Sequence, residues 1–417
     1  MLHPQEIFDR SSLVRVVADK LRAELARPGG VPQSLPESPW PDDFAIGADG
    51  LGADSLQKLQ LAGALNEMFH LHRSGHEDEL LARRRFGDWV DIVASSWAEH
   101  AQEITFTTSG STGAPKPCRH AVVDLIAEAA DHVQHLRPQR VLSAVPSHHI
   151  YGFLFTVLLP RLAGVDVIDI GPGRPGLVPR RGDLIVSYPD HWRYLAQSWG
   201  QMPEVTGVSS TAPLPETLAQ RLREGGRMRL VEIYGSSETA GIGRRETPEG
   251  PFFLLERWSG MAGWTESGAA RLIARDGRMA ATPDVIEIAG PRQFRVVRRL
   301  DRAVQVGGVN VFPAHVATVL EAHPQIAAAQ VRLAEDGARL KALLVPKHER
   351  VDSAALLASV RDWINVALSV PERPRSLQLV PALPRGKMGK PADWAEDGGP
   401  SLQHTDQTGN VSALPCT

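Results

Sequence analysis

The sequence is poor in cysteine, in net charge and in long apolar runs, and each shortage closes off a class of function. Only two cysteines occur in 417 residues, Cys118 and Cys416. Neither a metal-ligand spacing nor a disulfide framework can be built from them, so a reducing, cytoplasmic setting is expected. Lys and Arg number 45 against 48 Asp and Glu, a formal net charge of −3. Such a balance offers no basic field to draw nucleic acid or an anionic membrane. The longest apolar run, Phe153 to Leu159, is stopped by Pro160 and Arg161, and the opening MLHPQEIFDR carries acidic residues where a secretion signal needs an apolar segment. No membrane span and no export are expected. What remains, with 37 Gly, 32 Pro and 42% hydrophobic residues, is a globular chain long enough for two or three domains.

Leu13, Val16, Val17, Leu21 and Leu25 recur at helical spacing until Pro28-Gly29-Gly30. A second amphipathic segment begins at Ser55 and carries Leu61, Leu65, Met68 and Phe69; a third, over 86–98, carries Phe86, Trp89, Val90, Val93 and Trp97. Residues 1–100 therefore read as a small helical bundle. From Ile104 onward, β-rich runs at 103–107, 139–145, 165–170, 183–188, 205–209 and 229–234 alternate with helical patterns near 120–135, 190–199 and 215–224. That alternation predicts a doubly wound α/β sheet over 101–299, with a less regular stretch at 240–300. A compact α+β unit is expected over 300–395, and the polar composition of 396–417 predicts a disordered tail.

The densest chemistry lies in Thr107-Thr108-Ser109-Gly110-Ser111-Thr112-Gly113-Ala114-Pro115-Lys116. Hydroxyls, two glycines that admit close-approaching amides, and a lysine at the carboxyl end of a strand can cradle phosphate oxygens. Taken alone, the same residues also make an ordinary polar loop. The spacing fails the Walker pattern, because Ala114 and Pro115 separate the glycine from the lysine. Gly171-Pro172-Gly173-Arg174-Pro175-Gly176 satisfies a dinucleotide-type spacing, yet its prolines and Pro179 prevent a helix from opening where a pyrophosphate would sit. Tyr234-Gly235-Ser236-Ser237-Glu238-Thr239 ends another strand and combines an aromatic plate, an open backbone, hydroxyls and a carboxylate able to hold magnesium.

These two stretches, with Leu383-Pro384-Arg385-Gly386-Lys387-Met388-Gly389-Lys390, resemble the adenylate-forming acyl-CoA synthetases and ligases over residues 104–395. The resemblance implies ATP and magnesium as cofactors. It implies that Thr108, Ser109, Gly110, Ser111, Thr112, Gly113 and Lys116 hold the β- and γ-phosphates, and that Tyr234, beside Gly235, stacks on adenine. Glu238 matches the magnesium ligand and Thr239 the α-phosphate contact. Thr211, Ala212 and Pro213 match a segment along the adenine edge. Asp284 matches the ribose-binding aspartate, Arg299 a nucleotide contact and Asp301 the hinge. Gly307 and Gly308 match a loop that lines the thiol tunnel, and Lys390 the catalytic lysine, a cation that stabilises charge growing on the transferring phosphoryl oxygens. In Pro146-Ser147-His148-His149-Ile150-Tyr151-Gly152, His149 takes the position that gates the acyl pocket and orients the carboxylate. The pocket is expected between this turn and the strand ending at Tyr234.

Some positions depart from the family pattern. Pro283 and Arg298 stand where relatives have glycine, and the phosphate loop comes so early that most of the usual first subdomain is missing. In its place, Gly50-Leu51-Gly52-Ala53-Asp54-Ser55-Leu56 resembles the modified-serine element of acyl carrier proteins. Ser55 would then carry phosphopantetheine; the other reading is a plain helix cap. The expectation is an enzyme that activates a carboxylic acid as its adenylate and passes the acyl group to coenzyme A or to a carrier-protein thiol. The chain resembles hydroxybenzoate-activating ligases of aryl-polyene and xanthomonadin-type pathways, which makes an aromatic acid the preferred substrate. A medium-chain fatty acid, and a non-catalytic acyl- or nucleotide-binding relative, are the alternatives.

Overall fold

The computed structural model describes residues 2–26, 35, 39–47, 49–109, 115–170, 177–198, 202–224, 226–246, 249–265, 269–299, 303–334, 336–348 and 352–384. The chain divides into two compact units, Met1–Phe312 and Pro313–Thr417.

The first unit opens with α1 (Arg10–Leu25), α2 (Ser55–Phe69), α3 (Glu79–Ala82) and α4 (Phe86–Glu99). Asp9 starts α1 by accepting from Ser12 N at 2.8 Å, and Asp54 starts α2 by accepting from Gln57 N at 2.8 Å; such caps contribute about 1 kcal/mol each. The apolar stripes read from the sequence are buried: Val16, Val17, Leu21, Leu65, Phe69, Phe86, Trp89 and Trp97 all lie in one core. That core also contains Ile104, Phe106, Phe153, Phe155, Val186, Val208 and Val231. Phe8 joins the two sets, with its ring 5.1 Å from Trp97 and 5.8 Å from Phe153. Burying such side chains contributes about 1.5–3 kcal/mol apiece. The helical front is thus continuous with the sheet's core. Boundaries expected after 100 and 299 do not coincide with the division between compact units, which falls at Phe312 and Pro313.

β1 (Glu103–Ser109) and β2 (Pro115–Ala121) form a two-stranded antiparallel hairpin of their own. The expected place of 103–107 in the large sheet is therefore corrected. Pro115 and Pro117, two residues apart, put both missing N–H groups on one side of β2, which suits the outer edge of a ribbon.

α5 (Val122–Leu136) leads into a nine-stranded mixed sheet. Its strands are β3 (Arg140–Ser143), β4 (Val167–Asp169), β5 (Asp183–Ser187), β6 (Met202–Ser209), β7 (Gly226–Ser236), β8 (Ala240–Arg245), β9 (Phe252–Leu254), β13 (Asp284–Gly290) and β14 (Gln293–Arg299). The spatial order is β4-β3-β5-β6-β7-β8-β9-β14-β13. The first five are parallel, connected through α6 (Ile150–Phe153), α7 (Leu159–Ala163), α8 (Pro189–Ser198) and α9 (Glu216–Glu224), and the others are antiparallel. β10 (Trp258–Trp264), β11 (Ala270–Ala274) and β12 (Met279–Ala281) make a separate three-stranded sheet, and β15 (Val304–Val306) pairs with β16 (Val309–Val311). The mixed α/β class expected from the sequence is the class observed.

The second unit is built from α10 (Pro313–Glu321), the antiparallel pair β17 (Ile326–Leu333) and β18 (Leu340–Pro346), α11 (Ser353–Ala367) and β19 (Ser376–Leu379), which runs parallel to β18. No helix among the described residues is long and apolar enough to cross a membrane.

Candidate active site

Open parallel sheets bind ligands beyond the carboxyl ends of their strands. Here β3, β5, β6 and β7 end in register, with Ser143 beside Val186, Ser187 beside Ser209, and Ser209 beside Glu232. The segments that leave these ends carry most of the motif residues.

Several of the motif residues assemble around the end of β7. The Tyr234 hydroxyl donates to Asp284 Oδ2 at 2.7 Å, so the fold brings together two groups 50 residues apart. Phe252 and Phe294 flank the Tyr234 ring at 5.5 and 5.4 Å and fix its plane. Gly235 has no substitute, because a Cβ there would stand 2.2 Å from the Ala240 carbonyl oxygen. Lys116 Nζ lies 3.0 Å from Glu238 Oε1, across 122 residues. Burial pushes the Glu238 carboxyl up, but Lys116, with hydrogen bonds from backbone and Ser236, holds it below its ordinary value. Thr239 is buried, its Oγ1 3.0 Å from Ser236 Oγ. The turn is tied from behind by His120, whose Nε2 donates to the Ser237 carbonyl at 2.6 Å. Thr211, ahead of Ala212 and Pro213, adopts a left-handed φ of 76°, and Leu214 N donates to Glu232 Oε1 at 3.1 Å.

The Pro146–Gly152 turn leaves the end of β3. Gly152 closes the Pro146–Gly152 turn because a Cβ would stand 1.9 Å from the Pro146 carbonyl oxygen. Asp19 of α1 holds the same turn: its Oδ2 accepts from Ser147 N at 2.8 Å and from Ser147 Oγ at 2.6 Å. The neighbouring Lys20 is buried, bonded to Glu24 Oε1 at 2.8 Å and 3.5 Å from Thr107 Oγ1. His149 is solvent-exposed by area, yet protein crowds around it. That desolvation, with Lys20 nearby, pushes its pKa down to about 4, so the imidazole is neutral at physiological pH. Tyr151 is buried, its hydroxyl 3.0 Å from the carbonyl oxygens of Ser187 and Val208, and burial pushes its pKa well above the usual phenol value.

A family model for AMP-binding enzymes matches residues 72–266. A 4-coumarate–CoA ligase from Halorhodospira halophila is 39% identical over 391 residues, covering 92% of this chain and 99% of the relative. The chain belongs to the AMP-binding enzyme family. A 4-coumarate–CoA ligase from Rhodobacter capsulatus is likewise 39% identical over 395 residues, covering 91% of this chain and 99% of its own. Among solved structures, a double mutant of o-succinylbenzoate CoA synthetase from Bacillus subtilis shares the fold with a TM-score of 0.56 at 22% identity, over 69% of this chain and 67% of that one. The AMP-binding family and these ligase relatives make the chain an adenylate-forming acid–thiol ligase.

Other AMP-binding motif positions fall as follows. Thr108 and Ser109 end β1, with Thr108 opposite Lys116 and Ser109 opposite Pro115. Arg299 is the register partner of Asp284 in the β13–β14 pair. Gly307 and Gly308, at φ 58° and 78°, make the two-residue turn between β15 and β16. A Cβ on Gly308 would stand 2.9 Å from Thr211 Oγ1 and 3.8 Å from the Tyr188 ring, so the turn abuts the end of β5. Gly110, Ser111, Thr112, Gly113, Asp301, Lys390 and the tail 396–417 lie outside the described residues. Ser55 is the exposed first residue of α2.

Sequence reasoning missed Asp19, Lys20, His120 and Glu128. A signal existed for two of them: Lys20 and Glu128 are charged residues within the apolar stripes of α1 and α5, and a charge on a buried face asks for a partner.

Proposed function

We propose that this ligase uses Mg·ATP to activate an aromatic carboxylic acid of the hydroxycinnamate or hydroxybenzoate type and passes the aryl-acyl group to coenzyme A. The observation that carries the reading is the convergence of Lys116 with Glu238 and of Tyr234 with Asp284 at one edge of the sheet, opposite the His149 turn. The donor set fits the nucleotide and its metal: a half-exposed carboxylate and ammonium already paired, a ring beside a buried aspartate, and a backbone too close at Gly235 for any side chain. Bound Mg·ATP supplies an electrophilic α-phosphorus and a charge-neutralised pyrophosphate leaving group. Lys116 releases Glu238 on nucleotide entry and turns to phosphate oxygen. Asp284 accepts from the ribose hydroxyls and Tyr234 covers the adenine. Neutral His149 donates a hydrogen bond to the acid's carboxylate without neutralising it, so a carboxylate oxygen stays nucleophilic. That oxygen bonds to the α-phosphorus as the bond to pyrophosphate breaks. The thiol, losing its proton, then bonds to the acyl carbon as AMP leaves. Lys390 is assigned to the first step and the Gly307-Gly308 turn to the second.

The names of the relatives support an aromatic acid over a medium-chain fatty acid. For the thiol, coenzyme A is preferred over a carrier arm on Ser55, because Asp54 and Gln57 exchange capping bonds, Gln57 Oε1 accepting from Asp54 N at 3.0 Å, as any helix start does. Product analysis with a panel of acids, ATP and coenzyme A tests both points. Aryl-CoA and AMP are expected together from hydroxylated aromatic acids. Turnover of alkyl acids alone overturns the substrate class. A mass gain on Ser55 after treatment with a phosphopantetheinyl transferase, with no aryl-CoA formed, overturns the choice of thiol.

A further inference from the structure

α5 carries Glu128 and His132 one turn apart on its buried face, 1% exposed each. Glu128 is fully engaged: Oε1 accepts from Gly241 N at 2.9 Å and Oε2 from Arg257 at 2.8 Å. Burial pushes its carboxyl up, but His132 and Arg257 together hold it below its ordinary value. His132 is different. Its Nε2 stands 3.6 Å from Glu128 Oε1, beyond hydrogen-bond range, and neither ring nitrogen has a hydrogen-bond partner among the described residues. A buried imidazole that has a carboxylate beside it but no hydrogen bond at either nitrogen is costly, so such a group asks for a ligand or a function.

Its surroundings say which. His132 lies 4.6 Å from the Phe155 ring, and Phe155 lies 5.3 Å from Tyr151, two residues beyond His149. This row of rings runs from the turn that receives the carboxylate into the interior. Across from it, Gly241 on β8 follows the Tyr234–Thr239 turn by two residues, and a Cβ on Gly241 would stand 2.3 Å from Glu128 Oε1. His132 thus stands at the inner end of a ring row that begins beside the His149 turn, and Glu128 next to it is bonded to the segment that follows the Tyr234–Thr239 turn. Other hydroxyls near the row are committed: Tyr151 to backbone carbonyls, and Thr156 Oγ1 to the Gly152 carbonyl at 2.8 Å.

We infer that His132, oriented by Glu128, recognises the distal hydroxyl of the aromatic acid and sets the enzyme's preference for hydroxylated over unhydroxylated substrates. The inference rests on the aromatic-acid reading above. An Nε2–H turned toward Glu128 leaves the Nδ1 lone pair to accept the phenolic O–H. The rings of Tyr151 and Phe155 pack against the aromatic body. A site that pairs a substrate hydroxyl rejects the analogue lacking it, since the imidazole is then left unpaired.

The test compares kcat/KM for acid-dependent pyrophosphate release with a para-hydroxylated aromatic acid and with the same acid lacking the hydroxyl. Wild type, His132→Phe and His132→Gln are measured in parallel, with folding checked by thermal melting. Wild type is expected to favour the hydroxylated acid. His132→Phe, which extends the ring row without an acceptor, is expected to lower that ratio by about ten-fold or more while sparing the unhydroxylated acid. His132→Gln keeps an acceptor and is expected to retain part of the preference, which keeps the test open if the Phe variant does not fold. An unchanged ratio in a folded His132→Phe overturns the role of His132. A wild type that activates neither aromatic acid overturns the substrate class itself.

Discussion

Thr211 is the residue at which sequence and backbone disagree most clearly. It holds φ at 76°, a region that a β-branched side chain enters only under strain of order 1–3 kcal/mol. Thr211→Gly removes the strain and costs some unfolded-state entropy. The expected outcome is a higher melting temperature, worth about 1 kcal/mol; a lower one contradicts the strain. At this scale the motif residues were legible because each carries its chemistry in its own type and spacing. Lys116, Glu238, Tyr234 and Asp284 could be named singly, and the fold brings them into two contacts. Asp19, Lys20, Glu128 and His132 were not legible as site residues. Their meaning depends on partners that only the fold supplies, such as Ser147, 128 residues beyond Asp19.

Among the elements, α1 does more than its apolar stripe implies. Arg15 bonds the Thr156 carbonyl at 2.9 Å and Asp169 at 2.8 Å, Asp19 bonds Ser147, and Lys20 reaches toward the end of β1. The helix thus braces the Pro146–Gly152 turn from a part of the chain more than a hundred residues away. Asp19→Ala is expected to raise KM for the acid roughly ten-fold, through loss of two charge-assisted bonds, with KM for ATP unchanged. Asp19→Asn, which keeps an acceptor, is expected to recover most of the loss. Equal effects on both KM values would mean general destabilisation instead. Helices α1, α2, α4 and α11 and the parallel strands were readable because apolar periodicity writes them directly. β2 was missed because Pro115 and Pro117 argue against a central strand and say nothing against a ribbon edge. β8 to β13 were missed because glycine-rich, partly exposed strands such as β10 show little alternation.

For the whole molecule, one core runs from the front helices into the sheet, so stability and site geometry are linked. Within the first unit His70 and His149 have pKa values lowered to about 4 by burial, and His120, His135 and His191 are lowered as well. Each is harder to protonate when folded than when unfolded, where it titrates near 6.5, so its contribution is present above pH 6.5 and is lost as pH falls, toward 4 for His70 and His149. Asp19 and Glu232, whose pKa values burial raises, and His76, raised by its bond to Glu79, act in the opposite sense but are fewer. The melting temperature is expected to fall between pH 7 and pH 5; a flat or rising profile contradicts the assignment.

The central claim is that the Lys116–Glu238 and Tyr234–Asp284 contacts mark the place where an acid is adenylated. Exchange of labelled pyrophosphate into ATP, driven by a hydroxylated aromatic acid, measures that step alone. Robust acid-dependent exchange is expected in the wild type, with a fall of about a hundred-fold or more in Glu238→Gln. No exchange in the wild type with any aromatic acid, or undiminished exchange in Glu238→Gln, would contradict it.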